Sequence, residues 1–304
     1  MSIQLFNINN YKIDTSNFSH LLHDKVVKEF EENFAKYVGA KYSCMANSAS
    51  SLLFLSLLKY KTTVSIPSTM PVVVPNVIIN TGNKINFYDD TDWVGHMYHL
   101  HDNIFDSAQE VKRNQYKDLG HDDAIMIFSF YPTKPVGGCD GGMVVSNNLD
   151  QINYFRTMTM NGTNYSINNW EREHISVGYK MHPNSFQAYI ANKNLKRLDK
   201  KNKVLYDIRS YYNLKLGLRN DSLHLYRINV NNNRKFLKKM HNFGIQCGIH
   251  YEHCHEKKCF VKNSKKLSRS EKESISTVSI PFNEKLKRNE VEEIVHYVKK
   301  FSHI

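Results

Sequence analysis

The sequence predicts an α/β fold: a large, mostly parallel sheet with helices on both faces, followed by a smaller α/β unit. Three observations carry this. Short apolar runs rich in β-formers alternate with helix-length stretches from Asp24 to about Lys200, the pattern of strands joined by crossover helices. The same alternation resumes beyond Tyr211 in shorter form. At 304 residues and 41% hydrophobic content, the chain can fill one large core and a smaller second one. We place the large unit at residues 1–205 and the small one at 206–304.

Each element has a local reason. Asp24 to Val38 reads as a helix, with Val26, Val27, Phe30, Phe34 and Val38 on one face and Gly39 as its stop. Lys41–Ala46 is a short strand, and Asn47-Ser48-Ala49-Ser50-Ser51 opens an apolar helix through Leu58. Thr63–Ile66 is a strand broken by Pro67; a helix runs to about Asn80, and Lys84–Tyr88 is the next strand. Asn103-Ile104-Phe105 ends on Asp106, and Ala124–Phe128 ends on Ser129. Met143–Val145 is a strand and Leu149–Met160 a helix. One long helix is expected from Asn184 to about Lys200. The small unit reads as strand Leu223–Val230, helix Asn232–Phe243, strand Ile245–Ile249 and a closing helix bearing Val291, Ile294, Val295, Val298 and Phe301.

No apolar run reaches the ~18 residues of a membrane span, so no membrane partner is expected. The N-terminal residues lack a signal-peptide pattern, and the five scattered cysteines suit reduced thiols. Both point to the cytoplasm. In that setting the sequons Asn17-Phe18-Ser19 and Asn161-Gly162-Thr163 carry no meaning. The net charge is +12, with basic clusters at Lys193–Lys203 and Lys257–Lys272. Nucleic-acid binding is one reading; solvated helix and loop faces, or steering of an anionic substrate, are the others. We expect no nucleic-acid partner.

The chemistry centres on Lys134. An acid closes one strand at Asp106, and a lysine follows the next strand end, Ser129, before a glycine-rich turn. Pyridoxal phosphate needs such a pair: an amine to condense with its aldehyde and a carboxylate to hold its ring nitrogen protonated. The turn at Ser48 and Ala49 opens a helix, whose free backbone amides suit a phosphate; alone it would be an ordinary helix cap. The histidines and cysteines from His250 to Cys259 fit no standard zinc module, and no metal is expected.

The wording of these segments resembles the DegT/DnrJ/StrS-type nucleotide-sugar aminotransferases from about Phe30 to Phe301. Ser129-Phe130-Tyr131-Pro132-Thr133-Lys134 with Asp140-Gly141-Gly142 is similar to the family's lysine segment. Phe105-Asp106-Ser107-Ala108-Gln109 is similar to its aspartate segment, and Asn47–Leu52 to its phosphate turn, with Ser48 and Ala49 in place of glycine and threonine. The resemblance implies a type I, aspartate-aminotransferase-like fold with a seven-stranded-type sheet, and a homodimer with shared active sites. It implies Lys134 as catalytic residue and Asp106, Gln109, Ser129, Ser48 and Ala49 on the cofactor. Pro71 stands at the position of the aromatic platform. Lys180, in Gly178-Tyr179-Lys180, would reach the partner's cofactor phosphate and the substrate. His250, Tyr251 and His255 would contact substrate. The reaction implied is amino transfer from L-glutamate to a keto carbon of a nucleotide-diphosphate sugar, in amino-sugar biosynthesis. Lys134 argues against the related branch that carries histidine there. The departures at Pro71, Ala49 and Met181-His182 motivate the alternative, a non-catalytic binding or regulatory protein on the same fold. The resemblance also places the shortening of this chain after Leu195.

Overall fold

The computed structural model describes residues 2–8, 10–14, 16, 18–164, 169–260 and 265–302; Asn17, which opens the first sequon, and 261–264 of the second basic cluster lie outside them. The strands are β1 (Tyr42–Ala46), β2 (Thr63–Pro67), β3 (Lys84–Tyr88), β4 (Tyr98–His101), β5 (Ile104–Asp106), β6 (Ile125–Ser129), β7 (Gly142–Ser146), β8 (Tyr226–Asn229) and β9 (Thr277–Ile280). The helices are α1 (Lys25–Val38), α2 (Ala49–Leu57), α3 (Val73–Asn80), α4 (Gln115–Leu119), α5 (Leu149–Thr159), α6 (Ser185–Leu195), α7 (Leu198–Leu216), α8 (Asn233–Asn242), α9 (Ser268–Ser276) and α10 (Arg288–Ser302).

The α/β class is observed, with one refinement of the sheet. The strands of the large unit divide into a five-stranded sheet, ordered β1-β7-β6-β5-β4, and a separate parallel pair, β2-β3. Within the larger sheet only β5 and β6 pair in parallel; β7 opposes both its neighbours, and β4 opposes β5. For β4 the cause lies in the connection from β3 to β5. A parallel return needs a crossover of a dozen or more residues, usually a helix. Among the described residues the stretch 89–103 holds no helix. The chain folds β4 back on β5 as a hairpin instead, with Asp102 in left-handed backbone at the turn (φ 50°).

Side-chain alternation explains the two layers of helices. Cys44, Ala46, Ile125, Ile127 and Val144 face one side and pack with Leu52, Leu55, Val74 and Phe155 of α2, α3 and α5. Met45, Met126, Phe128, Met143 and Val145 face the other and pack with Phe30, Phe34 and Ala188 of α1 and α6. Every residue of β6 and β7 is buried, which is why both read as unbroken apolar runs. α1 is capped as expected: Asp24 accepts from Val26 N–H, and Gly39 closes it at φ 79°. The expected long helix divides at Lys196-Arg197 into α6 and α7. The expected strand at Ile245–Ile249 is reduced to isolated bridges from Ile245 to Ile3 and from Gly248 to Ser279.

A third apolar cluster joins Ile3, Leu205, Ile208, Tyr212 and Leu216 to Tyr226, Ile228, Phe236, Ile280, Ile294 and Val298. The division placed at 205/206 falls inside α7, and the N-terminal Ile3 packs with this cluster.

Candidate active site

Strands β1, β5 and β6 share one direction, so their C-terminal ends open on the same side of the sheet. In open α/β sheets this is where ligands sit. A cavity of about 380 Å³ lies there, lined by Ser48, Ala49, Pro71, Trp93, His96, Tyr98, Asp106, Gln109, Ser129, Lys134, His250 and Tyr251. Residues spread over the whole sequence converge on it.

Lys134 follows β6 through a turn in which its N–H donates to the Tyr131 carbonyl at 2.8 Å. Burial pulls its amine down to about 8, and the charge of Asp106 only partly opposes this. Asp106 ends β5, buried. Its Oδ1 accepts from Ala108 N–H and its Oδ2 from the Tyr98 hydroxyl, both at 2.9 Å. Burial raises its pKa; the two hydrogen bonds and Lys134 work the other way. A cationic ring nitrogen placed against Asp106 would oppose that upward shift and favour the carboxylate.

The floor is the start of α2. Ser48 caps it, its Oγ accepting from Ser51 N–H at 3.2 Å, so the N–H groups of the first turn point towards the cavity. Gly142 makes room for this turn: a Cβ there would stand 2.4 Å from the Ala49 nitrogen. Ser129, at the end of β6, accepts from Tyr131 N–H at 3.3 Å through its Oγ and keeps its hydroxyl hydrogen for a ligand.

Gln109 is buried, and its Oε1 accepts from Gly95 N–H at 3.1 Å. What it still offers is the Nε2 donor. Pro71 lines the wall as expected, but the aromatic surface comes from Trp93, whose indole N–H donates to the Thr69 carbonyl at 3.1 Å. Trp93 lies parallel to Tyr251, within 8° and with centroids 6.4 Å apart. His250 shares a hydrogen bond with Ser279 Oγ at 3.0 Å. Burial, then the charges of Lys134 and Arg227, lower its pKa to about 4; it is a neutral imidazole at physiological pH. Sequence reasoning missed Trp93, His96 and Tyr98, which lie on or beside β4.

Two expected residues stand elsewhere. Lys180 is exposed, in a bridge with Met160, and lines no part of this chain's cavity. His255 is buried outside the cavity too. Ser68 Oγ accepts from the N–H groups of Cys254 and His255, both at 3.2 Å, so its own hydrogen goes to His255 Nδ1 at 2.6 Å. His255 Nε2 faces a Glu271 carboxylate oxygen at 3.4 Å. His255, Glu256 and Glu271 offer ligand atoms within 4.8 Å of one another, an arrangement that pairing of the histidine with the Glu271 carboxylate by itself accounts for. The bonds to Ser68, just after β2, tie down the His255 loop and hold the side chain outside this chain's cavity.

The cavity fits pyridoxal phosphate. It offers an amine with a lowered pKa, a buried carboxylate, an amide donor and a helix N-terminus with two serines. Because attack needs the free amine, the rate at which Lys134 captures the cofactor in apoprotein should rise about tenfold per pH unit at acid pH. It should level off above about 8. Stopped-flow absorbance across pH 6–10 checks this; a midpoint near the ordinary lysine value would contradict it.

The sequence matches the DegT/DnrJ/EryC1/StrS aminotransferase family over residues 8–97 and 99–299. A UDP-4-amino-4,6-dideoxy-N-acetyl-β-L-altrosamine transaminase of Campylobacter jejuni (serotype O:23/36) is 26% identical over 231 residues. That match takes in 62% of this chain, and the chain spans only 61% of the relative's length. Helicobacter pylori PseC, an aminotransferase involved in the biosynthesis of pseudoaminic acid, superposes with a TM-score of 0.80 at 18% identity, covering 98% of this chain and 99% of its own. CalS13, a sugar aminotransferase from Micromonospora echinospora, gives 0.80 at 16%, again over 98% and 99%. These likenesses place the fold among type I aminotransferases. The family's cofactor is pyridoxal phosphate, and the chain belongs to the DegT/DnrJ/EryC1/StrS aminotransferase family.

Proposed function

We propose that this protein transfers an amino group from L-glutamate to a keto carbon of a nucleotide-linked sugar, in amino-sugar biosynthesis. The pairing of Lys134 and Asp106 in one cavity supports this most. Bound pyridoxal phosphate supplies an electron sink for negative charge developing at the substrate carbon. Lys134 Nζ would hold the cofactor and, once free, would accept and return a proton at the substrate carbon. Asp106 would keep the ring nitrogen protonated. The α2 N-terminus, Ser48 and Ser129 hold the phosphate, and Gln109 Nε2 orients the ring. Trp93 and Pro71 form one wall, and His250 and Tyr251 stand where an acceptor would enter.

The nucleotide-sugar acceptor is supported by the named activity of the Campylobacter relative, and the glutamate donor by family resemblance. Free cysteines throughout support a cytoplasmic site of action; no helix among the described residues is long and apolar enough to cross a membrane. The test is incubation of holoprotein with L-glutamate and a panel of keto-sugar nucleotides, followed by mass spectrometry. The expected result is 2-oxoglutarate and one aminated sugar nucleotide. Tight cofactor binding with no glutamate-dependent product on any acceptor would favour the non-catalytic alternative.

We further propose that Lys180 completes the partner's site in a homodimer. Its exposure outside its own cavity supports this, as do the exposed Trp170, Ile175 and Val177 on the preceding segment. Mixing inactive Lys134→Ala with inactive Lys180→Ala places both defects in one site of each heterodimer and leaves the other whole. About half of the heterodimers' sites should regain activity. If the mixture contains heterodimers by mass and stays inactive, Lys180 does not act across the interface.

A further inference from the structure

The two hydrogen bonds on Asp106 differ in origin. The bond from Ala108 N–H closes within the turn that follows β5, so any aspartate at this strand end could make it. The bond from the Tyr98 hydroxyl to Oδ2 crosses between strands. It exists because β4 sets Tyr98 directly opposite Asp106 in its register with β5.

The phenol is held in that place from several sides. Its ring packs on Trp93, with centroids 4.6 Å apart, and both side chains are buried. The backbone leading into β4 is tied to the residues that follow Asp106: Gly95 N–H donates to Gln109 Oε1 at 3.1 Å, and Met97 N–H to Glu110 Oε2 at 3.2 Å. Ser222 Oγ donates to the Gly95 carbonyl at 3.1 Å. A Cβ on Gly95 would stand 2.6 Å from that Oγ, so the segment has little room to slide. One short stretch thus fixes Asp106 and Gln109 together.

Burial favours the neutral acid at Asp106, and Lys134 and Tyr98 oppose it. Tyr251 also faces Asp106, and Tyr88 and Tyr251 face Tyr98. Burial raises the pKa of all three tyrosines, so they are neutral donors at physiological pH. A donor to a carboxylate stabilises its ionised form. Were Asp106 to take the proton from the ring nitrogen, the ring would become a weaker electron sink. Once the Lys134 amine is engaged by the cofactor, the Tyr98 hydroxyl is the side-chain donor left to oppose that transfer.

We propose that Tyr98 is a positioning residue for transamination: its hydroxyl fixes Asp106 Oδ2 and keeps the carboxylate ionised, so that the proton stays on the cofactor's ring nitrogen. Tyr98 acts through Asp106 and needs no contact with substrate. The inference rests on the cofactor reading of this cavity.

The test is nitrogen NMR of protein loaded with ring-labelled cofactor, joined to a double-mutant cycle. Wild type should show a protonated ring nitrogen at neutral pH. In Tyr98→Phe, which keeps the ring on Trp93, the signal should move towards the neutral-ring value. The single-turnover reaction with L-glutamate should slow by at least about tenfold, the size of one lost hydrogen bond to a charged group. In an Asp106→Asn background the same change should cost less than about twofold, because the route through the charge is already cut. Equal losses in both backgrounds, or an unmoved nitrogen signal beside a protonated wild type, would overturn the role of Tyr98. An unprotonated ring nitrogen in wild type would remove the Asp106 pairing, and Tyr98 with it, which separates the two failures. Should Tyr98→Phe not fold, difluorotyrosine at position 98 keeps the shape and alters only the acidity of the donor. The pH at which the nitrogen signal changes must then move, and an unmoved value would again overturn the proposal.

Discussion

Lys134→Ala should lose transamination entirely while keeping its fold. The lysine's backbone N–H bond to the Tyr131 carbonyl survives the change. Removing it also deletes a buried amine whose charge is disfavoured there. The variant should show a wild-type thermal midpoint and no borohydride-stable attachment of the cofactor. Full turnover in purified Lys134→Ala would remove the residue from the mechanism.

Asp106→Asn should slow the reaction by several orders of magnitude, each order being about 1.4 kcal/mol of barrier. The substitution keeps the size of the side chain and an acceptor for Ala108 N–H, but removes the charge that holds the ring nitrogen protonated. It should also move a second observable. Asp106 raises the Lys134 pKa against the effect of burial, so the midpoint for cofactor capture should shift below about 8. Near wild-type turnover, or an unmoved midpoint, would separate Asp106 from the pair.

The parts of the site that were legible in the sequence share a physical cause. Asp106 and Ser129 end buried strands, where an apolar run meets a polar residue, and Ser48 stands at a strand-to-helix turn whose cap needs a hydroxyl. Linear order therefore gave the cofactor side of the cavity. The opposite wall was not legible, because its contacts depend on register. Tyr98 reaches Asp106 only because β4 folds back antiparallel on β5 with those two residues opposite each other. Trp93 meets Tyr251 across a long sequence separation. His255 looked like a site residue because it follows His250 and Tyr251, yet Ser68 draws the chain inward at Cys254. The division between α6 and α7 has no glycine or proline to mark it, and the Ile245 segment lost its strand because its edges bridge to Ile3 and Ser279 singly.

The central claim is that Lys134, and no other lysine, holds the cofactor. A second buried amine makes this a real choice: Lys201 donates from Nζ to the Pro135 carbonyl at 2.8 Å and has a pKa lowered by burial. Borohydride reduction of holoprotein, followed by proteolysis and mass spectrometry, decides between them. The expected result is cofactor mass on the peptide containing Lys134, absent when L-glutamate is added before reduction. Cofactor mass on Lys201 or another lysine, or none on the protein at all, would contradict the account.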